Sequence, residues 1–247
     1  MKQKSVLVFD TPDALALGAA RMVIETAERA IQDRGKFTVA LSGGSTPALM
    51  YQHLVKMPSD FSKWIVFVSD ERWVPEEDSV SNMGAAVRLF LREAQVPAVN
   101  IMHAYVSGLD ANSGAVKYEE LLHKHAGSPA AGNDVHLDLV LLGVGDDGHT
   151  ASLFPGKPAL KETSRLVVAT PHGTLPPPVE RITFTFPTIN SARKVAILAS
   201  GENKSTVVAS ALEGGSSAEA QPVQMVNPLG GSLLWMLDKA AASKMTL

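Results

Sequence analysis

The sequence predicts an α/β protein, a parallel sheet with helices on its faces, and two observations carry this. Short apolar runs bounded by turn residues alternate with longer helix-like segments nearly throughout the chain, the pattern of repeated strand–helix units. The run Leu137–Leu142, LDLVLL, is short, rich in leucine and bounded by glycine, as expected of a buried strand.

Taken in order, Ser5–Phe9 reads as the first strand. A helix follows from Pro12 to Asp33: proline suits the first turn, where its missing N–H is no loss, and Gly35 suits the stop. Phe37–Leu41 is the next strand, then a turn at Ser42–Pro47 and a helix through Lys56. Trp64–Ser69 is a third strand. Met83–Ala94 and Gly114–His125 carry helical spacing, the second opening after Asp110 or Asn112 as a cap. Beyond Leu137–Leu142, strands are expected at Arg165–Thr170, Arg181–Phe186 and Val195–Ala199, followed by a helix from Asn203 to Leu212. Leu233–Leu237 and Asp238–Lys244 read as a closing strand and helix. The segments Gly127–Asn133 and His172–Val179 interrupt the alternation as surface loops; each is short, and strand patterns resume at once. With no internal repeat, residues 1–247 are expected to form one domain.

At 247 residues, 45% hydrophobic and 19% charged, the chain has the composition of a soluble globular protein with a sizeable core. A formal net charge of −3 offers no basic field for nucleic acid, so an anionic ligand must be met by locally placed cations. The absence of cysteine excludes disulfides, thiol catalysis and thiolate metal sites, and fits a reducing compartment. The N-terminal apolar run Val6–Phe9 ends at Asp10, too short for a secretion signal. No stretch approaches the roughly 18 apolar residues of a membrane helix. A cytoplasmic location without membrane or nucleic-acid partners is therefore expected.

The chemistry gathers at strand ends. Gly143–Gly156, GVGDDGHTASLFPG, sets His149 on a glycine-rich turn directly after the Leu137–Leu142 strand, where open α/β sheets bind ligands. A neutral imidazole can take a proton from water near neutral pH, and a neighbouring carboxylate, Asp147 or Asp146, can fix its tautomer. The same segment spells GxGxxG, but a dinucleotide reading meets two objections. Asp146 and Asp147 put negative charge where a pyrophosphate needs backbone N–H groups. The acid that should end the following strand is also missing, since Glu162 precedes Arg165–Thr170.

Ser42-Gly43-Gly44-Ser45-Thr46-Pro47 joins a strand to a helix with the composition of a phosphate-holding turn: glycines for close approach, hydroxyl and N–H donors, and a helix dipole. Its plainer reading is a cap, with Ser45 or Thr46 preceding a proline at the first helical position. Ser69-Asp70-Glu71-Arg72-Trp73 ends another strand; Arg72 can grip a phosphate bidentately while Asp70 or Glu71 orients it, unless the group is a structural ion pair. Lys204, in Gly201-Glu202-Asn203-Lys204, follows the Val195–Ala199 strand. Three such turns together describe a site for a small anion. No GxSxG supplies a serine-hydrolase elbow, and His123 and His125 lack the spacing that chelates zinc, so no metal is expected.

SGGSTP at Ser42–Pro47, SDERWVP at Ser69–Pro75, the Gly143–Gly156 motif and GENK at Gly201–Lys204 resemble, in motif and order, the 6-phosphogluconolactonases of the glucosamine-6-phosphate isomerase/6-phosphogluconolactonase family. Glu180–Asn190 and the closing LLWMLDKAA extend the resemblance over essentially the whole chain. It implies an α/β, Rossmann-like, mostly parallel sheet with helices on both faces, similar to the glucosamine-6-phosphate deaminase fold. It implies hydrolysis of 6-phospho-D-glucono-1,5-lactone in the oxidative pentose phosphate pathway and no metal or organic cofactor; a monomer or weak homo-oligomer is expected, though no residue pattern specifies the oligomeric state. Carried onto this sequence, His149 is the implied base; Arg72, Lys204 and more loosely Arg181 are the substrate cations; and Gly43, Gly44, Ser45 and Thr46 belong to the anion site. The related deaminases are similar in carrying an acid shortly after the histidine, in a pattern like AFNEPG. Here Ala151–Pro155 holds none, which favours lactone hydrolysis over a deaminase or isomerase. A non-catalytic sugar-phosphate-binding protein is the remaining alternative.

Overall fold

The structure, a computed structural model, describes residues 3–127, 135–171, 178–214 and 217–246. Strand β1 (Gln3–Phe9) leads through helix α1 (Pro12–Arg34) to β2 (Phe37–Leu41), and β2 through α2 (Ser45–Leu54) to β3 (Trp64–Val68) and the short β4 (Asp70–Arg72). Helix α3 (Asn82–Ala86) runs into a wider π turn at Val87–Leu91, and α4 (Ala111–Ala126) precedes β5 (Leu139–Leu142). Then come β6 (Val167–Thr170), β7 (Arg181–Phe184), α5 (Phe186–Asn190), β8 (Lys194–Ala199), α6 (Ser205–Glu213) and β9 (Ser232–Asp238).

Local signals account for most helix ends. Thr11 Oγ1 accepts the Ala14 N–H at 3.1 Å, Pro12 occupies the first turn of α1, and Gly35, at φ 74°, closes it. The buried stripe of α1, Leu15, Ala16, Ala19, Ala20, Val23 and Ala27, recurs at helical spacing. It packs on β1, β2, β9 and α2. Asp110, not Asn112, caps α4, accepting the Ser113 N–H at 2.8 Å.

Six strands form one parallel sheet in the order β1-β9-β8-β5-β2-β3. Every residue of β2, β3 and β5 is buried, which is why these runs lack the alternation of a half-exposed strand. Phe37, Phe61, Trp64 and Phe90 pack with tilted or edge-on rings beside β2 and β3.

The strands expected at Arg165–Thr170 and Arg181–Phe186 do not join this sheet. They pair antiparallel with each other and with β4 as a second sheet, β4-β7-β6, in which Asp70 faces Thr183 and Arg72 faces Arg181. The second of them stops at Phe184: Phe186 opens α5 instead, and Pro187, which has no N–H to give a ladder, sits in its first turn. The helix expected at Asp238–Lys244 is absent and its residues form turns. Asp238 ends β9 and accepts from Ser200 Oγ and the N–H groups of Gly201 and Ala241, so its carboxylate ties the β8 and β9 ends together. The Gly127–Asn133 and His172–Val179 loops fall largely outside the described residues. Among the described residues, no helix is long and apolar enough to cross a membrane.

Gly114 of α4 lies against Trp73, so that an added Cβ would overlap the indole ring. Gly114→Ala is expected to destabilise the chain by about 1–3 kcal/mol through overpacking, read as a lower denaturant midpoint at unchanged m-value. An unchanged midpoint would show that the helix and the tryptophan separate freely.

Candidate active site

β2 and β5 are neighbours, and from them the chain departs to opposite sides, to β3 after β2 and to β8 after β5. Such a reversal opens a crevice at the carboxyl ends of the strands. There the structure has a cavity of about 230 Å3. Ser42, Gly43 and Gly44 line it after β2, Gly143, Val144, Gly145, His149 and Ala151 after β5, and Lys204 after β8. The second sheet adds Asp70 and Arg72 from β4 and Arg181 from β7, while Asn82 enters from α3. Arg181 is buried, and burial lowers its pKa, opposed by the charge of Asp70.

His149 is held from its Nδ1 side. That atom lies 2.5 Å from Asp147 Oδ1, which also accepts the His149 backbone N–H at 3.1 Å. Burial alone would raise the pKa of Asp147; the His149 N–H and the ring's charge outweigh it and hold the group below its ordinary value. As a carboxylate it can only accept, so in the neutral ring Nδ1 carries the proton and Nε2 has the lone pair. Asp146 turns the other way, to Lys204 Nζ at 2.6 Å and Asn203 Nδ2 at 3.1 Å. The two adjacent acids therefore have different partners. At Gly145 an added Cβ would strike the His149 ring, so this close turn requires glycine. On its other side His149 meets the Phe154 ring at 4.6 Å, and the Arg181 guanidinium lies 5.7 Å from the same ring's centre.

Arg72 is oriented differently from the sequence expectation. Its Nη1 donates to Val80 O at 2.7 Å and Asn82 Oδ1 at 2.8 Å, not to a carboxylate. Strand alternation accounts for Glu71, which points to the opposite face of β4 from Arg72; Asp70 shares the Arg72 face but is engaged by Ser152. The Glu71 carboxylate is occupied by the N–H groups of Arg72, Asn82 and Met83 and by Ser81 Oγ. Burial pushes its pKa up to about 7 against the pull of those N–H groups. Asp70 accepts Ser152 Oγ at 2.6 Å, with Asn82 Nδ2 3.4 Å away. Arg72 Nε is buried without a hydrogen-bond partner among the described residues.

The cap expected at Ser45 or Thr46 falls one residue earlier. Gly44 is the N-cap of α2 at φ 106°, a conformation that favours glycine, and Ser45, Thr46 and Pro47 form the first turn. Gly43 and Gly44 line the cavity; Ser45, Thr46 and Asp147 do not. Asn82 was missed in the sequence, where nothing ties it to Arg72 ten positions earlier; its one sign is Ser81 before it, a capping residue for α3. Ala151, at φ 48°, was also missed. A larger cavity of about 710 Å3 adjoins the site through Asp147, Ser152 and Phe154, with α4 and β6 contributing much of its wall. Its lining holds neither His149 nor Arg72, Arg181 or Lys204, so the smaller cavity is where the convergent polar groups lie.

A parallel sheet with a histidine, carboxylates and cations converging beyond its strand ends defines a doubly wound α/β protein with a small polar ligand site. The chain belongs to the family described as glucosamine-6-phosphate isomerases/6-phosphogluconolactonase, whose model matches residues 10–235. It is 38% identical over 247 residues to the 6-phosphogluconolactonase of Nostoc sp., covering 99% of this chain and 100% of that one. The solved 6-phosphogluconolactonase of Trypanosoma brucei is 29% identical, covers both chains fully and superposes with a TM-score of 0.84. A monomeric glucosamine-6-phosphate deaminase, 21% identical and covering 97% and 99% of the two chains, shares the fold at a TM-score of 0.82.

Proposed function

We propose that the chain is a 6-phosphogluconolactonase, hydrolysing 6-phospho-D-glucono-1,5-lactone to 6-phospho-D-gluconate with His149 as general base. The observation that carries this is the Asp147–His149 pair at 2.5 Å, with the ring facing a cavity that Arg72, Arg181 and Lys204 also line. The names of the Nostoc and Trypanosoma relatives point to the same substrate.

In this reading the phosphate sits against Gly43 and Gly44 and the cations, where backbone N–H groups at the start of α2 and the Arg72 guanidinium supply donors. Lys204 brings a charge shared with Asp146, and Asp70 fixes the floor through Ser152. His149 Nε2 takes a proton from a water whose oxygen attacks C1 of the lactone. Asp147 stabilises the imidazolium that results. The tetrahedral oxyanion collapses, the C1–ring oxygen bond breaks, and the proton on Nε2 passes to the departing ring oxygen. Water is the only co-reactant, and no covalent enzyme intermediate forms. A deaminase needs further acid/base groups, and Ala151–Pro155 supplies none. The reaction belongs in this reading to the oxidative pentose phosphate pathway, in the cytoplasm.

The test is a coupled assay on freshly generated lactone, scored as rate above spontaneous hydrolysis. No excess rate, or ammonia release from glucosamine 6-phosphate, would overturn the proposal. Arg72→Ala and Lys204→Ala are each expected to raise KM about tenfold or more with a smaller change in kcat, as when binding is uniform between ground and transition states. Unchanged KM in both variants would remove the phosphate clamp.

A further inference from the structure

β1 is an edge strand, paired with β9 on one side and, among the described residues, with no strand on the other. Edges of this kind are usually blunted by an inward charge, a proline, a bulge or a covering loop. Ser5–Phe9, SVLVF, carries neither charge nor proline, and Val6, Leu7 and Val8 are 37%, 46% and 40% exposed.

The backbone phase of this edge is fixed. Lys239 N–H donates to Phe9 C=O at 2.9 Å, so the polar groups of Phe9 face β9. Peptide groups alternate sides along a strand, so those of Leu7 and Ser5 face β9 as well, and Lys4, Val6 and Val8 present theirs outward. We propose that a second copy of this chain occupies the edge, its β1 antiparallel to the first about a two-fold axis at Leu7. Val6 of each copy then lies opposite Val8 of the other, and the two exchange both N–H···O bonds. Leu7 meets Leu7 as a non-hydrogen-bonded pair, the closer kind for side chains.

Charge favours this register over the one centred on Val8. With the axis at Leu7, Lys4 of each copy stands opposite Asp10 of the other. Registers centred on Val6 or Val8 keep the bonding phase but set Lys4 against Val8 or Asp10 against Val6; the Val6 register pairs Asp10 with Lys2 instead, so loss of the dimer in Lys4→Asp separates it from the register at Leu7. Asp10 already meets Lys239 at 2.7 Å, but both side chains are largely exposed, so that pair is weak and Asp10 stays available. The association joins two six-stranded sheets edge to edge. It is symmetric and self-limiting, since each copy has one β1. Resting on one strand pair, it buries less than about 1,200 Å2, the range of weak and transient contacts.

Sedimentation velocity of the full chain, from about 1 µM to about 500 µM, tests this; those concentrations bracket a weak association. The expected weight-average mass rises from 26.2 kDa toward twice that value. Val8→Pro removes an outward N–H without touching the β9 ladder, and is expected to leave lactone hydrolysis and melting unchanged while holding the mass at the monomer. Lys4→Asp is expected to weaken the dimer about tenfold or more, and Lys4→Asp with Asp10→Lys to restore it. A monomer at every concentration overturns the proposal, as does a dimer that survives both Val8→Pro and Lys4→Asp. Should Val8→Pro fail to fold, the charge reversal and its rescue decide.

Discussion

His149→Ala lowers the rate of lactone hydrolysis above background by about 10²–10⁴-fold, the range that general-base assistance commonly contributes. The size follows from what the variant keeps. Arg72, Lys204 and the glycine turn approach the cavity from other elements, so removing the imidazole leaves the anion site in place. Binding of 6-phosphogluconate, measured by calorimetry, should therefore change little while kcat collapses. The ring is partly exposed and its main apolar contact is Phe154, so the fold should tolerate the loss. Because the lactone also opens unaided, the comparison holds only after the spontaneous rate is subtracted. A variant that kept the wild-type excess would end the assignment of His149 as base. One that lost both rate and product binding would show that the ring holds the site together instead.

What the sequence disclosed, and what it did not, divides by range of interaction. α1 was legible because its signals are local: a threonine cap, a proline in the first turn, a glycine at the stop. β2, β3 and β5 were legible because strands buried on both faces are uniformly apolar. The second sheet was not, since β4 has three residues and its pairing with β7 joins positions more than a hundred apart. The end of β9 misled for a similar reason. Asp238 and the alanines after it suit a helix locally, but the Asp238 carboxylate is held by Ser200 and Gly201 from the neighbouring strand end.

The site shows the same division. Three strand-end turns announced themselves by composition, and the structure gathers residues from each of them around one cavity. How their charges are shared did not follow from composition. Asp146 and Asp147 are adjacent and chemically equivalent in sequence, yet a turn that brings Asp147 under the His149 ring sends Asp146 to Lys204. Asp70 and Glu71 divide likewise, by strand alternation: one lines the cavity, the other holds the start of α3 and so the Asn82 that orients Arg72. The consequence is that carboxylates position the base and its surroundings, while Asn82 and the Val80 carbonyl orient Arg72 without neutralising it.

That arrangement makes Asp147 the position where charge and geometry can be separated. A single atom, Oδ1, accepts both the His149 backbone N–H and Nδ1. In Asp147→Asn the amide oxygen can take that place, preserving the tautomer and the ring orientation while the negative charge is lost. The imidazolium formed in the reaction is then less stabilised, and kcat should fall less than in Asp147→Ala, which loses acceptor and charge together. For the alanine variant the expected loss is about 10²–10⁴-fold, as for loss of the base itself. A carboxylate that only held the loop and the ring in place would leave Asp147→Asn, which keeps the acceptor, close to wild type in kcat. If Asp147→Asn keeps the wild-type kcat while Asp147→Ala is impaired, Asp147 serves as an acceptor that positions the turn and the ring, and its charge plays no part in the reaction.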